Sequence, residues 1–578
     1  MASPTAHAEA TPHEAPPAGQ SNRLRRTLFS RELPHYPPTS KRLWYLFVVI
    51  AATVLLYYQL YIQGAVGPSI LQHYGMSFKY YVYITVVGNV FGALASVVAG
   101  IADRVGRANI IAWGLGLTSV LVGFVLPHMP NKWAFAVVLA TISAVEGLIL
   151  VATPALVRDF SPQLGRATAM GFWTLGPVLG SLAVSAVSSS TLDHLHAWQD
   201  QFVIAGVAGL VVFVVAVVSL RELNPGLRDQ LMVSAHDRAL VEARAKGIDV
   251  EAGLRRPWKQ MLTPRLALSS LAISLFMLYY VTAVGFFVIY FTSTFGFSEH
   301  KANSLGNWYW GFNALSLVLV GIASDRLRVR KPFMLVGALG ALVMTALFAT
   351  RTTHPDTSYN TFVLIIALNA IFQGFVLAPW MAAYTEDVED RNPALMATGM
   401  AVWGLTFRLV ACVATFLLPV VITATTPLTN YGAKVQAIST KYAPELATAS
   451  AIKPDTLATL TANPNNTTAG IEAVNEVSQK FHITPAQAIA RMQKLAAVPK
   501  ADLAYLQAHG PELQAAVTRN PHEWRRWWWG VFGSMVVFLP LLTVMGGFWS
   551  PAAARRRAQE HERAVQAELT RIEATATG

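Results

Sequence analysis

Two charged residues sit where charge is least expected. Glu146, in "SAVEGLIL", is the only Asp, Glu, Lys or Arg between residues 133 and 157. Arg408, in "GLTFRLVACV", is the only one between 392 and 433. A charge inside so long an apolar segment is costly and normally faces a cavity, a partner or a substrate. The two residue types suit different chemistry. A carboxyl group held away from water can take up and release a proton as its surroundings change. A guanidinium stays charged and presents a planar fork of donors, a good seat for a carboxylate. The functional reading is proton coupling at Glu146 and anion binding at Arg408. The structural alternatives are a Glu146–Arg408 ion pair that locks two helices, or an arginine satisfied by backbone carbonyls. Glu146 lies 12 residues before Arg158, about 18 Å along a helix, and Arg408 lies 17 residues after Arg391, about 25 Å. Both therefore sit around or somewhat beyond the middle of a bilayer.

The elements that must position them follow from the distribution of charge. The chain has 578 residues, 53% hydrophobic and only 13% charged, against about one quarter charged in ordinary soluble proteins. Its length is therefore divided into membrane spans, each needing about 20 apolar residues. Charge-free or nearly charge-free intervals run over 43–78, 80–102, 108–131, 133–157, 167–192, 202–220, 266–298, 302–324, 332–350, 357–385, 392–433 and 527–554. They predict an all-α membrane protein of twelve transmembrane helices. The connections 103–107, 158–166 and 325–331 are basic, as is the N-terminal tail, whereas 193–201 and 351–356 carry at most one Arg. Basic loops face the cytoplasm, so both termini are expected there. The connection "EDVEDRN" (386–392) is acidic on that same side, but acids weigh little in this rule. The formal charge of +12 fits the same asymmetry and contact with anionic lipid, not nucleic acid. The single cysteine, Cys412, excludes an internal disulfide and a cysteine metal site.

The expected organisation has seven parts. Residues 1–42 form a disordered cytoplasmic tail without a cleavable signal. Residues 43–220 form a six-helix half, and 221–265 a cytoplasmic linker with a helical stretch around "DQLMVSAHDRALVEARAKG". Helices seven to eleven occupy 266–423. An extracytoplasmic insert follows over 424–525, helical in part, with Thr484-Pro485 as a helix start. Helix twelve covers 526–550, led by the interfacial belt "WRRWWW", and 551–578 form a basic cytoplasmic tail.

The chain repeats itself. Tyr58, Gly75 and Asp103 are matched by Tyr279, Gly296 and Asp325 at nearly the same spacing. "GIADRVGR" corresponds to "GIASDRLRVRK", "VEGLILVATP" to "FQGFVLAP", and "ATAMGFW" to "LMATGMAVW". A constant offset across shared loop motifs indicates six duplicated spans with the same topology. In this alignment Glu146-Gly147 faces Gln373-Gly374, and Arg408 falls near Gly180. Each half therefore keeps one intramembrane charge, of opposite sign.

The loop Ala99–Ala108, read "AGIADRVGRA", resembles the signature between the second and third spans of the major facilitator superfamily, Gly-x-Leu-Ala-Asp-Arg-x-Gly-Arg-Arg/Lys. The leading Gly and the last basic residue differ here. The resemblance extends over most of residues 40–550. It implies two six-helix halves working by alternating access. It also implies a cytoplasmic gate built from Asp103, Arg104, Gly106 and Arg107 with Arg158, and from Asp325 and Arg326 in the second half. By the same resemblance spans one, four, seven and ten line a central cavity. Tyr58, Gln59 and Gln63 in span one, Tyr279 and Tyr280 in span seven, and Asn369 and Gln373 in span ten are the polar and aromatic residues expected to line it. "GPVLGS" (176–181) is similar to the antiporter motif of drug exporters, with an incomplete flank, and is weighted toward helix packing.

The sequence reading is a secondary transporter of the cytoplasmic (inner) membrane that couples protons to movement of a small organic anion. A proton-driven drug or cation exporter is the first alternative. A non-transporting receptor that uses the insert is the second. Small solute, protons and lipid are the expected partners. No cofactor, metal site, ATP-binding motif or enzymatic constellation is expected.

Overall fold

The computed structural model describes residues 31–97, 106–161, 173–195, 197–224, 257–392, 395–463 and 465–556, with scattered positions of a C-terminal helix to 570. The first half begins with β1 (Glu32–Leu33). Helices α1 (Thr39–Ala65), α2 (Gly67–Tyr74), α3 (Phe78–Val97), α4 (Arg107–Val120), α5 (Lys132–Phe160), α6 (Gly176–Thr191) and α7 (Trp198–Ser219) follow, and β2 (Glu222–Leu223) ends it. The second half contains α8 (Pro257–Met261), α9 (Pro264–Phe276), α10 (Leu278–Phe295), α11 (Glu299–Leu327), α12 (Lys331–Arg351), α13 (Tyr359–Arg391) and α14 (Met396–Val421). The insert supplies six short helices, α15 (Thr425–Asn430), α16 (Gly432–Lys441), α17 (Ala443–Ser450), α18 (Pro454–Ala462), α19 (Thr467–Phe481) and α20 (Pro485–Ala496). The long α21 (Lys500–Val536) and α22 (Phe538–Leu541) return the chain to the bundle.

Eight described helical stretches are long and apolar enough to cross a membrane. They are α1, α4 with its continuation to His128, α5, α7, α9 with α10, α12, α13 and most of α14. The other four charge-free intervals fall on α3, α6, α11 and α21. The described parts of α3 and α6 adjoin residues outside the described set. α11 buries Asn303 and Asn313 against other helices, and α21 starts in the polar insert. Apolar residues left exposed, such as Val207, Val211, Val214 and Val218 on α7, form faces suited to lipid.

Local sequence sets the helix ends. Side chains of Asn131, Thr263, Ser298 and Ser358 accept backbone N–H bonds at the starts of α5, α9, α11 and α13, satisfying first-turn donors. The repeat is visible in the backbone. Gly75 and Gly296 both terminate helices in the left-handed conformation. α5 and α13 each carry one internal proline, Pro154 and Pro379.

Three features depart from the sequence reading. Residues 31–42, expected in a disordered tail, are docked. β1 pairs in parallel with β2 through Glu32–Glu222 and Leu33–Leu223. The fully buried Arg31 donates to the Ala216 carbonyl at 2.7 Å, capping the end of α7. The boundary drawn at 525/526 falls inside the unbroken α21, and the helix expected over 526–550 stops at Leu541. The acidic 386–392 segment carries partners for nearby bases. Glu386 accepts from Arg330 at 2.7 Å and Asp387 from Arg265 at 2.7 Å. The predicted helix around "DQLMVSAHDRALVEARAKG" lies outside the described residues. The insert has its own small core of Ile452, Ala473, Val477 and Ala488. Thr484 caps α20 in a reciprocal box with Gln487.

Candidate functional site

Glu146 lies at mid-length on α5 and is 2% exposed. Neither of its carboxyl oxygens has a hydrogen-bond partner. A direct Glu146–Arg408 ion pair is therefore not formed. The neighbouring Gly147 explains the close fit of this helix, since a Cβ there would collide with the Gly92 carbonyl of α3. The second half repeats the construction with a different outcome. Gly374 brings α13 against Ser316 of α11, but Gln373 is fully engaged. Tyr309 donates its hydroxyl to Gln373 Oε1 at 2.7 Å, and Gln373 Nε2 donates to Asn369 Oδ1 at 2.7 Å. Asn369 in turn donates to Thr345 at 3.0 Å. The same repeat position thus holds a satisfied amide in one half and an unbonded carboxyl in the other.

Arg408 is exposed on α14. Leu405, Leu409, Val413 and Phe416 form the main exposed apolar face of that helix. Trp403 packs on Trp380 of α13, with ring centroids 5.5 Å apart. At 100° per residue, Arg408 projects between these two faces. Tyr57 of α1 lies within electrostatic range of both Arg408 and Glu146. Tyr61, one turn further along α1, also senses Glu146 and shares a side-chain hydrogen bond with Tyr280 of α10. Tyr57 and Tyr61 of the first half thus lie within electrostatic range of Glu146, and Arg408 and Tyr280 of the second half lie within range of Tyr57.

The other sequence candidates are distributed differently. Gln59 turns into the first half, donating to Ser119 at 2.9 Å and to the Ala205 carbonyl at 3.2 Å. Tyr58 is buried with no partner for its hydroxyl, and the side-chain Oε1 of Gln63 likewise has none, whereas its backbone carbonyl accepts from the Tyr81 hydroxyl. Tyr279 sits in an aromatic cluster with Phe287, Tyr309, Phe348 and Trp528. Tyr57 escaped sequence reading because the i, i+4 pair Gln59/Gln63 drew attention to a neighbouring face. The "GPVLGS" motif packs α6 on α1: a Cβ at Gly176 would meet Thr53, and one at Gly180 would meet Tyr57.

At the tail-bearing end, Asp103 and Arg104 lie outside the described residues. Gly106 has φ +98° and starts α4. Glu222 of β2 accepts the Arg107 backbone N–H at 2.8 Å, placing a carboxylate at a helix N-terminus. The Arg107 side chain pairs with Asp159 at 2.7 Å, next to Arg158. In the second half Arg330 bridges Asp325 at 2.6 Å and Glu386 at 2.7 Å, beside the exposed Arg326. These pairs each stay within one half. Glu222, Arg330 and Glu386 were not singled out by sequence. Glu222 is brought to the loop only by the two-residue strand pairing, which has no local signature. Gly106→Ala is expected to lower the melting temperature, because its Cβ would collide with Glu222 and its φ is unfavourable for a side chain. The expected cost is about 1–3 kcal/mol, readable as a thermal shift of the purified protein.

Comparisons with known proteins agree with this architecture. A bacterial homologue of the human lysosomal transporter Spinster, solved inward-facing and occupied, superposes with TM-score 0.56 at 15% identity, covering 90% of this chain and 98% of that one. The E. coli xylose transporter XylE, in a partially occluded inward-open conformation, gives TM-score 0.50 at 14% identity, over 65% of this chain and 92% of XylE. Sugar phosphate exchanger 3 of Bos taurus is 22% identical over 298 residues, which is 47% of this chain and 59% of the exchanger. The match thus spans less than two thirds of that relative. The Major Facilitator Superfamily model matches residues 49–415. With that match over more than half of its length, the chain belongs to the Major Facilitator Superfamily, a family of transporters rather than enzymes.

Proposed function

We propose that this protein is a twelve-helix, proton-coupled secondary carrier of a small organic anion. In this reading it works by alternating access in the cytoplasmic membrane, with both termini cytoplasmic and the insert outside. The observation that carries the reading is the unbonded, buried Glu146 beside Tyr57, with the exposed Arg408 in range of the same tyrosine.

An ionised, unpaired carboxylate is costly at this depth, and protonation removes the charge. The planar fork of Arg408 can hold an anion by charge-assisted hydrogen bonds. A carrier with both charges matched, or with neither ligand bound and water in the cavity, can reorient. A carrier that moves the anion with Glu146 left ionised is penalised, which ties the anion to a proton. The likeness to a protein named a sugar phosphate exchanger supports an anionic cargo. Phosphate esters and carboxylates are both suited to a guanidinium fork.

The unpaired Glu146 also suits a cationic drug, the antiporter reading. Arg408 at the same tyrosine opposes it, and "GPVLGS" is accounted for by packing of α6 on α1. A thermal-shift screen of the purified protein separates the readings. Inorganic phosphate, hexose phosphates and short carboxylates are compared with quaternary ammonium compounds. Stabilisation by the anions supports the proposal, and stabilisation by the cations alone replaces it with the exporter. The receptor reading predicts that deleting the insert abolishes the response to ligand.

A further inference from the structure

On the side that carries the insert the two halves are joined by side-chain contacts, and the insert takes part. Asn303 of α11 donates to the Ala65 carbonyl of α1 at 2.9 Å. Asn307 of α11 donates to Ser189 of α6 at 2.8 Å. Glu299, the first residue of α11, accepts the Ser69 backbone N–H of α2 at 2.8 Å. Its neighbour His300 pairs with Asp193 at 3.3 Å. These four contacts join the second half to the first.

The insert adds a strap across the same junction. Thr426 of α15 accepts the Phe78 backbone N–H at the start of α3, at 3.0 Å. Asn430 at the end of α15 donates to the Met76 carbonyl at 3.1 Å. The N-terminal end of this helix is anchored to the second half through α21. Glu523 accepts from the backbone N–H groups of Thr423 and Ala424 at 2.7 and 2.8 Å. Asn520 bonds Thr425 and donates to the Ser293 carbonyl of α10. A helix anchored on one half thus grips the other half by two bonds. Below it lies a polar cavity of about 380 Å³ whose lining includes Ser69, Asp193, Glu299, His300 and Thr429.

We propose that α15 and the Glu299 cluster form the insert-side gate of the carrier, a strap that must lift from Met76 and Phe78 before that side opens. The inference rests on alternating access between the halves, but neither on Glu146 nor on the charge of the cargo. It gives the insert a role in transport instead of partner recognition.

The gate carries a proton dependence. Burial pushes the Glu299 carboxyl up to about 7, against the lowering effect of the hydrogen bonds from Ser69. The other titratable or charged groups around it are Asp193 and His300, Tyr81 of α3, Lys301, which lies over Phe297 and Tyr359, and Lys434 of the insert, which lies over Tyr505. Once the gate opens and water reaches Glu299, its value returns to the ordinary range near 4.3. The closed form therefore binds more protons than the open form. Closure is fully supported below about pH 4 and weakens as the pH rises through about 7.

The test uses the full chain with Cys412→Ser and a reporter, Ser185→Cys, which is 5% exposed on α6 at the junction. A membrane-impermeant maleimide is applied from the insert side of sealed vesicles. Rates are normalised to an exposed control cysteine, Thr461→Cys. Thr426→Val and Asn430→Ala are each expected to speed labelling roughly two- to tenfold, the effect of losing one hydrogen bond. Labelling without these changes should rise between pH 5.5 and 8.5, and Glu299→Gln should flatten that rise. Unchanged rates in both strap variants, together with a flat pH profile before Glu299 is replaced, would overturn the proposal. A second measurement guards against variants that misfold. Met76→Cys with Asn430→Cys, joined by a short cleavable crosslinker, should stop the pH-dependent labelling and restore it on cleavage. Labelling that persists through the crosslink also overturns the proposal. Because no substrate is used, failure here leaves the reading of Glu146 and Arg408 standing, and failure of that reading leaves the gate standing.

Discussion

Glu146→Gln should abolish uptake driven by a pH gradient while leaving substrate exchange in place. The amide is isosteric and cannot ionise, so it mimics the protonated carrier at every pH. The second half provides the precedent within this chain, where Gln373 occupies the same repeat position and is bonded to Tyr309 and Asn369. An amide at 146 matches the carboxyl in size, so the helix packing around it is retained. In vesicles, accumulation against a gradient should fall to the passive level, at least tenfold below the unsubstituted protein. Counterflow of labelled substrate at symmetric pH should stay within about threefold, since charge-matched reorientation no longer needs a proton. If gradient-driven uptake persists at the normal rate in Glu146→Gln, the coupling role of Glu146 is wrong.

The second large effect is expected at Arg408. Lysine keeps the charge but loses the bidentate fork, so Arg408→Lys isolates the geometry from the Coulomb attraction. A charge-assisted hydrogen bond is worth about 1.5–3 kcal/mol, which corresponds to a roughly ten- to hundredfold weaker apparent affinity for the anion. Arg408→Gln should weaken it further. Because Arg408 is exposed, with the exposed Leu405 and Leu409 on the adjoining face, the melting temperature should change little. A large drop in stability with unchanged affinity would assign the residue a structural role instead. Tyr57, in range of both charges, offers a control: Tyr57→Phe removes a hydroxyl but neither charge, so it should alter affinity less than Arg408→Lys.

These residues show what a sequence can reveal about such a protein. The repeat was legible because loop motifs and helix-terminating glycines recur at a fixed offset, and Gly75 and Gly296 adopt the same left-handed cap. Glu146 and Arg408 were legible because charge is rare enough in apolar helices to be conspicuous. Which face of α1 meets them was not. In a soluble helix the polar face marks the solvent, but a helix in a transporter has lipid, protein and cavity around it. Gln59 belongs to the protein-facing side, bonded to Ser119, whereas Tyr57 and Tyr61 lie within electrostatic range of Glu146. Spacing of four residues identifies a face but not its neighbour.

Long-range pairings were equally hidden. The docking of residues 31–33 on 222–224 depends on two backbone pairs and one buried arginine, and no periodicity reports an element that short. The acidic 386–392 segment looked anomalous under a topology rule that counts only bases. It becomes intelligible once Glu386 and Asp387 are seen to hold Arg330 and Arg265. The role of the insert likewise rests on contacts more than 300 residues apart, such as Asn430 with Met76.

The central claim is that movement of an anion through this carrier is tied to a proton on Glu146. The most direct measurement is the pH inside sealed vesicles carrying a trapped pH indicator, when the anion found by thermal shift is added outside without any initial gradient. The lumen should acidify with the intact protein, stay unchanged with Glu146→Gln, and respond only at higher anion concentration with Arg408→Lys. Uptake of the anion with no proton movement in the intact protein, or equal acidification in Glu146→Gln, would contradict it.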